Sequence, residues 1–212
     1  MNPSQSFEID HLGLCTRSFY VAKRTASPKS CPTQQGAIFA GAFNPVHDGH
    51  RAIARMAAEK LDRPVWLELS VANVDKQVLD ESKVRDRIHS IQKMTEDLSV
   101  GIVVTQAATF VAKAKLFPGT VFVVGADTVE RINHPKYYQG CERLRNSSIA
   151  QLREQDCRFL VFGRDDGIGF RSEDVLIDPT LRSICQFVPQ SEFAMNVSST
   201  QLRVNGRNDA NG

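Results

Sequence analysis

Two imidazoles three residues apart, His47 and His50, stand in the run Gly41-Ala42-Phe43-Asn44-Pro45-Val46-His47-Asp48-Gly49-His50. The run follows a short apolar stretch, Ala37-Ile38-Phe39-Ala40-Gly41, and precedes a segment with helical spacing. Gly41 lets the backbone come close to a ligand, Pro45 fixes the loop, and Asp48 is placed to cap the helix that Gly49 and His50 begin. Two imidazoles at a helix start sit beside free backbone N–H groups and the positive end of the helix dipole. That combination suits a polyphosphate. The same pair could serve as metal ligands or as a helix cap. A metal site needs a third and fourth ligand, and His11, His89 and His134 show no matching spacing.

The elements that must position this run alternate in type. Strands are predicted at residues 37–41, 65–71, 102–104, 121–124 and 159–162, with an edge strand at 185–188. Helices are predicted at 51–61, where Ile53, Ala57 and Leu61 share a face, and at 82–98, where Val84, Ile88, Ile91 and Thr95 align. A third fills 107–117. Strands alternating with helices imply an α/β, doubly wound, mostly parallel sheet covered on both faces. In such sheets ligands bind beyond the carboxyl ends of the strands, where the histidine run falls.

Further polar residues belong to the same rim. Val124-Gly125-Ala126-Asp127 ends the fourth strand with a glycine and a carboxylate. Asn73-Val74-Asp75-Lys76 follows the second strand, and Lys76 is either a ligand contact or a solvated surface lysine. Near the end, Asn196-Val197-Ser198-Ser199-Thr200-Gln201-Leu202-Arg203 offers hydroxyls and a planar guanidinium. Read alone, that segment is also an ordinary helix N-cap.

The string G-x-F-x-P-x-H-x-G-H resembles the HIGH-type signature of the nucleotidyltransferase (cytidylyltransferase-like) superfamily. It has the form found in nicotinamide- and nicotinate-mononucleotide adenylyltransferases. Gly41, Phe43, Pro45, His47, Gly49 and His50 fill every defining position. The segment from Asn196 to Arg203 resembles the family's second element, I-S-S-T-x-I-R, with Val197 and Leu202 replacing the isoleucines. The resemblance spans roughly residues 36–205.

It implies a Rossmann-like, HUP-type nucleotidyltransferase fold. It implies adenylyl transfer from ATP to a phosphorylated small molecule such as nicotinamide or nicotinate mononucleotide, with pyrophosphate released. Cytidylyl transfer to a phosphorylated alcohol, and a nucleotide-binding or ATP-hydrolysing module that does not transfer, are the alternatives. The implied catalytic residues are His47, His50, Lys76 and Arg203. The implied nucleotide-binding residues are Gly41, Phe43, Gly49, Gly125, Asp127, Ser198, Ser199 and Thr200. Mg²⁺ is expected to arrive on the substrate phosphates rather than in a protein cage. Such enzymes generally place a Trp soon after G-x-D to stack on the nicotinamide ring. Here Asn133-His134-Pro135-Lys136-Tyr137-Tyr138 stands instead, and the single Trp66 lies within the second strand. Class I aminoacyl-tRNA synthetases share the first signature but need a KMSKS loop, and Lys93-Met94-Thr95 sits inside a predicted helix.

The remaining composition narrows the setting. Of 212 residues, 26 are Lys or Arg and 24 Asp or Glu, so a net charge of +2 gives no reason to expect a nucleic-acid partner or a membrane surface. Five scattered cysteines without a CxxC suggest reduced thiols, with neither a disulfide framework nor a zinc site. No leader or membrane span is read, and a cytoplasmic, soluble protein is expected. Small-molecule substrates are the expected partners, and a homo-oligomer is compatible with the sequence. The expected division is an appendage or linker at 1–35, the nucleotidyltransferase domain at 36–206 and a tail at 207–212.

Overall fold

The structure is a computed structural model, and it describes residues 18–20, 36–71, 81–165, 170–171 and 175–193. In chain order the elements are β1 (Ser18–Tyr20), β2 (Ala37–Gly41), α1 (Asp48–Leu61), β3 (Val65–Ser70), α2 (Glu81–Met94), β4 (Val100–Thr105), α3 (Phe110–Leu116) and β5 (Val121–Gly125). Then follow α4 (Ala126–Asn133), a 3₁₀ turn (Pro135–Tyr138), α5 (Glu142–Glu154), β6 (Arg158–Phe162), a small ribbon of β7 (Arg164–Asp165) and β8 (Phe170–Arg171), α6 (Pro179–Arg182) and β9 (Cys185–Val188).

Seven strands form one sheet in the order β1-β4-β3-β2-β5-β6-β9. Six run parallel, and β1 closes one edge antiparallel to β4 with Phe19 opposite Val103. Part of the 1–35 stretch, expected as an appendage, thus supplies an edge strand. The order reverses at the centre, where β3 lies on one side of β2 and β5 on the other. The carboxyl ends of β2 and β5 therefore flank the switch-point crevice.

Strict alternation of side chains builds two cores. Ala37, Phe39, Val65, Leu67, Leu69, Ile102 and Val123 face one side, where Ala54 and Ala57 of α1 and Val84, Ile88 and Ile91 of α2 cover them. Ile38, Trp66, Val103, Phe122, Val124, Phe159 and Val161 face the other, covered by α3 to α6. The doubly wound sheet expected from sequence is present. The α2 face aligned by spacing is buried through Thr95, although the helix ends at Met94. Trp66 is 2% exposed and lies across the neighbouring strand, where a Cβ on Gly101 would sit 2.2 Å from its ring. It is core, as its place in the strand predicts.

Candidate active site

The loop between β2 and α1 is shaped by an aromatic wedge. Phe43 takes a left-handed backbone, φ 45°, and its ring folds back over Gly41, where a Cβ would lie 2.8 Å from the ring. The ring meets Phe39 edge-on at 5.4 Å and His50 at 5.1 Å. Gly41 is thus required by Phe43, a more specific reason than the approach to a ligand read from sequence. Phe43 is 2% exposed, so what the structure shows of it is packing beneath the histidine.

The helix starts earlier than expected. Residue 48 is already helical, and the cap is His47 with an extended backbone (φ −151°, ψ 169°), not Asp48. The His47 carbonyl accepts the His50 N–H at 2.8 Å, and the His47 N–H donates to His50 Nδ1 at 3.2 Å. An acceptor Nδ1 places the imidazole proton of His50 on Nε2, a donor. The two rings stack at 3.9 Å. Gly49 is buried in the first turn, leaving no side chain between them.

The surroundings of both histidines favour the neutral imidazole. Burial, with a smaller push from His47, lowers His50 to about 3. Burial also lowers His47, and Asp48 offsets part of that. His47 Nδ1 is buried and faces the His50 N–H as in a capping box, but that N–H is spent on the His47 carbonyl, and Nδ1 meets no hydrogen-bond partner of good geometry among the described residues. An unmet buried polar atom costs about 1–3 kcal/mol, so it marks either strain or a missing ligand. It lies where the first N–H groups of α1 lack intrahelical acceptors. The arrangement offers neutral N–H donors and a helix N-terminus to an anion.

Across the switch point, β5 ends at Gly125, and Ala126 already belongs to α4, so Asp127 stands in a helix's first turn. Asp127 Oδ1 lies 2.8 Å from where a Gly125 Cβ would be, so the carboxylate folds over the glycine. The segment that stands in place of the family's Trp, with Tyr137 and Tyr138, follows the far end of α4. Tyr138 donates its hydroxyl to Ile132 O at 3.0 Å, and Lys136 lies 5.0 Å from the Tyr137 ring centre. Lys76, Ser198, Ser199, Thr200 and Arg203 lie outside the described residues. Among the described residues, no group of three or more His, Cys, Asp and Glu could hold a metal ion. None of their helices is long and apolar enough to cross a membrane.

Two features at the same rim escaped the sequence reading. Arg87 of α2 donates to the carbonyl of Ala42 at 3.2 Å, tying that helix to the signature loop. Glu68, fully buried in β3, is paired with Lys113 of α3 at 2.7 Å. A carboxylate inside the apolar run Val65-Trp66-Leu67-Glu68-Leu69 was the available signal. A central strand covered on both faces leaves such a group no water, so it demands a buried partner.

A family model described as Cytidylyltransferase-like matches residues 38–205. A probable nicotinate-nucleotide adenylyltransferase of Gloeobacter violaceus is 29% identical over 178 residues, covering 78% of this chain and 81% of that protein. Plasmodium falciparum nicotinic acid mononucleotide adenylyltransferase complexed with NaAD is similar in structure, with a TM-score of 0.47 and 13% identity over 79% of this chain and 82% of that one. With the match spanning both signatures and most of the sheet, the chain belongs to the cytidylyltransferase-like family of nucleotidyltransferases.

Proposed function

We propose that the protein transfers the adenylyl group of ATP to a phosphorylated small molecule, nicotinate mononucleotide first among them, and releases pyrophosphate. The observation that carries this reading is the stacked His47–His50 pair at the N-terminus of α1, with His47 Nδ1 unmet. The similarity to the Gloeobacter protein supports nicotinate mononucleotide as acceptor.

The chemistry asks little of the protein beyond placement and charge. An acceptor phosphate has its second pKa near about 6, so at neutral pH it is already an anionic nucleophile and needs no general base. Its oxygen bonds to the α-phosphorus as the bond from that phosphorus to the β-bridging oxygen breaks, and pyrophosphate leaves with the electron pair. His50, donating from Nε2, and His47 hydrogen-bond phosphate oxygens near the reacting phosphorus, where negative charge shifts during transfer. The α1 N–H groups add to this field. Ser198, Ser199, Thr200 and Arg203 hold the β and γ phosphates, Asp127 contacts the nucleoside, and Lys76 neutralises the acceptor.

Among the described residues, Asp48 and Asp127 are the rim's carboxylates, so a Mg²⁺ would be held mainly by phosphate oxygens and water and would supply charge neutralisation.

Purified protein incubated with ATP or CTP and a panel of acceptors, read by pyrophosphate release, tests the proposal. ATP with nicotinate mononucleotide should give the fastest acceptor-dependent release. Faster release with CTP and a phosphorylated alcohol would move the chain to cytidylyl transfer. Nucleotide binding or acceptor-independent ATP hydrolysis alone would make it a non-transferring module.

A further inference from the structure

We infer that the buried Glu68–Lys113 pair positions the acceptor side of the site by pinning the loop 106–109 at the carboxyl rim, an inference that rests on the transfer reading above. The pair reaches the loop through a closed set of hydrogen bonds. Lys113 Nζ donates to both carboxylate oxygens of Glu68 at 2.7 Å and to the carbonyl of Ala107 at 2.9 Å. An ammonium has three protons, and these three acceptors use them all. Thr105 Oγ1 donates to Glu68 Oε1 and accepts the N–H of Ala107 at 3.2 Å. Ser70 Oγ donates to the same Ala107 carbonyl at 2.9 Å. Both backbone polar groups of Ala107 are therefore held.

Stability alone does not explain ions in this place. Removing two charges from water is expensive, and a well-packed apolar pair of similar volume often holds a fold as well or better. What a carboxylate and an ammonium do that leucine and methionine cannot is to fix a carbonyl in one direction. Here the fixed carbonyl opens the loop that follows β4.

The location names the beneficiary. The phosphate-binding loop follows β2, and β3 lies between β2 and β4. Val71 N–H donates to Thr105 O at 2.8 Å, so the exits of β3 and β4 are tied together. Strand β2 has two neighbours, and with the nucleoside assigned to Asp127 beyond β5, the acceptor is left the exits of β3 and β4 from which to meet the α-phosphorus in line. A misplacement of about 1 Å there lowers the rate roughly 100-fold.

Three variants test the inference. Thr105→Val keeps the volume and removes the hydroxyl that links Glu68 to Ala107. Ser70→Ala removes one donor to Ala107 and leaves the ion pair. The double variant Glu68→Leu with Lys113→Met removes both charges and keeps the site filled. Each is measured for melting temperature, ATP affinity by calorimetry, and KM and kcat for nicotinate mononucleotide.

Thr105→Val and the double variant should raise acceptor KM about 10-fold or more, with ATP affinity within about 2-fold of wild type. Ser70→Ala should give a smaller rise in the same direction. A folded Thr105→Val or double variant with wild-type acceptor KM and kcat overturns the inference and leaves the pair structural. So does an ATP affinity that falls as far as the acceptor KM rises. A wild type inert with every acceptor is a different result, since it removes the transfer reading and this inference with it.

Discussion

Two buried polar clusters stand at the carboxyl rim, on opposite faces of the sheet, and they differ in completeness. Around Glu68 and Lys113 every hydrogen bond of the ammonium has a target, and the carboxylate is bonded at both oxygens. Around His47 and His50 one buried nitrogen has none. A satisfied cluster is held by the fold and holds it in return. An unsatisfied one carries a cost that a ligand can relieve. The completed cluster reads as architecture and the incomplete one as the proposed binding site, and on that reading the two should respond to mutation in opposite ways.

The largest effect should come from breaking the completed cluster on one side. Glu68→Ala leaves the Lys113 ammonium buried without its counter-ion and should lower stability by about 3–5 kcal/mol. For a chain of this size each kcal/mol moves Tm by roughly 2–4 °C, so a drop of about 10 °C is expected. Thermal melts decide it. A Tm unchanged from wild type would show that water reaches the pair and that its completeness is not real.

Opening the incomplete cluster should act on rate and spare the fold. His47→Ala and His50→Ala should each lower kcat at least about 100-fold, roughly 2.7 kcal/mol of transition-state stabilisation. Tm should stay within a few degrees or rise for His47→Ala, because that change removes an unmet polar atom. Steady-state pyrophosphate release beside a melting curve gives both numbers. Near-normal turnover by either folded variant would dismiss the site assignment.

Acid should separate the clusters next. Burial, with a smaller push from His47, holds His50 down to about 3 in the folded protein against an ordinary 6.5. Between those values the unfolded chain binds more protons. The stability is thus fully present above about pH 6.5 and is lost as pH falls toward about 3. At pH 5 the loss from this group is about 2 kcal/mol. Denaturant melts from pH 8 to 5 should show this slope, and His50→Gln should flatten it. Triphosphate binding should raise the His47 imidazole, whose Nδ1 is unmet, and take up protons near neutral pH, visible as buffer-dependent binding heats. A His50→Gln protein as acid-sensitive as wild type would place the titration elsewhere.

The same contrast explains what the sequence could be made to say. The sheet was readable because its strands are short, largely apolar runs, and α2 because Val84, Ile88, Ile91 and Thr95 keep one face. The signature loop was readable because glycine, proline and histidine each have a local reason to be there. Helix α5 was missed: within Glu142–Glu154 only Ile149 and Leu152 are buried, too few to set a period. Helix α4 was missed although Ala126, Val129 and Ile132 are spaced for it, because Gly-Ala-Asp was read as a strand end. The strand Ser18–Tyr20 was missed because three residues on an edge carry no pattern. The Glu68–Lys113 pair joins residues 45 positions apart, and no local rule matches a buried acid to a base at that distance.

The smallest expected effect on stability sharpens the comparison within the incomplete site itself. Gly41 and Gly125 both end strands at the switch point, and in both a Cβ would meet an atom at 2.8 Å. At Gly41 that atom is the ring of Phe43, locked between Phe39 and His50. At Gly125 it is the carboxylate oxygen of Asp127, the end of a side chain that can rotate away. Gly125 has φ −82°, which any residue adopts, so Gly125→Ala should change stability by no more than about 0.5 kcal/mol. The displaced carboxylate should still matter to the ligand. If Asp127 contacts the nucleoside as proposed, Gly125→Ala weakens ATP binding several-fold, and Asp127→Ala does the same without adding to it in the double variant, because both remove one contact. Calorimetric ATP titrations of the two single variants and the double supply the cycle. Additive losses would mean that Gly125 and Asp127 act on the nucleotide separately, and the glycine would then be read as room for the ligand rather than for the carboxylate.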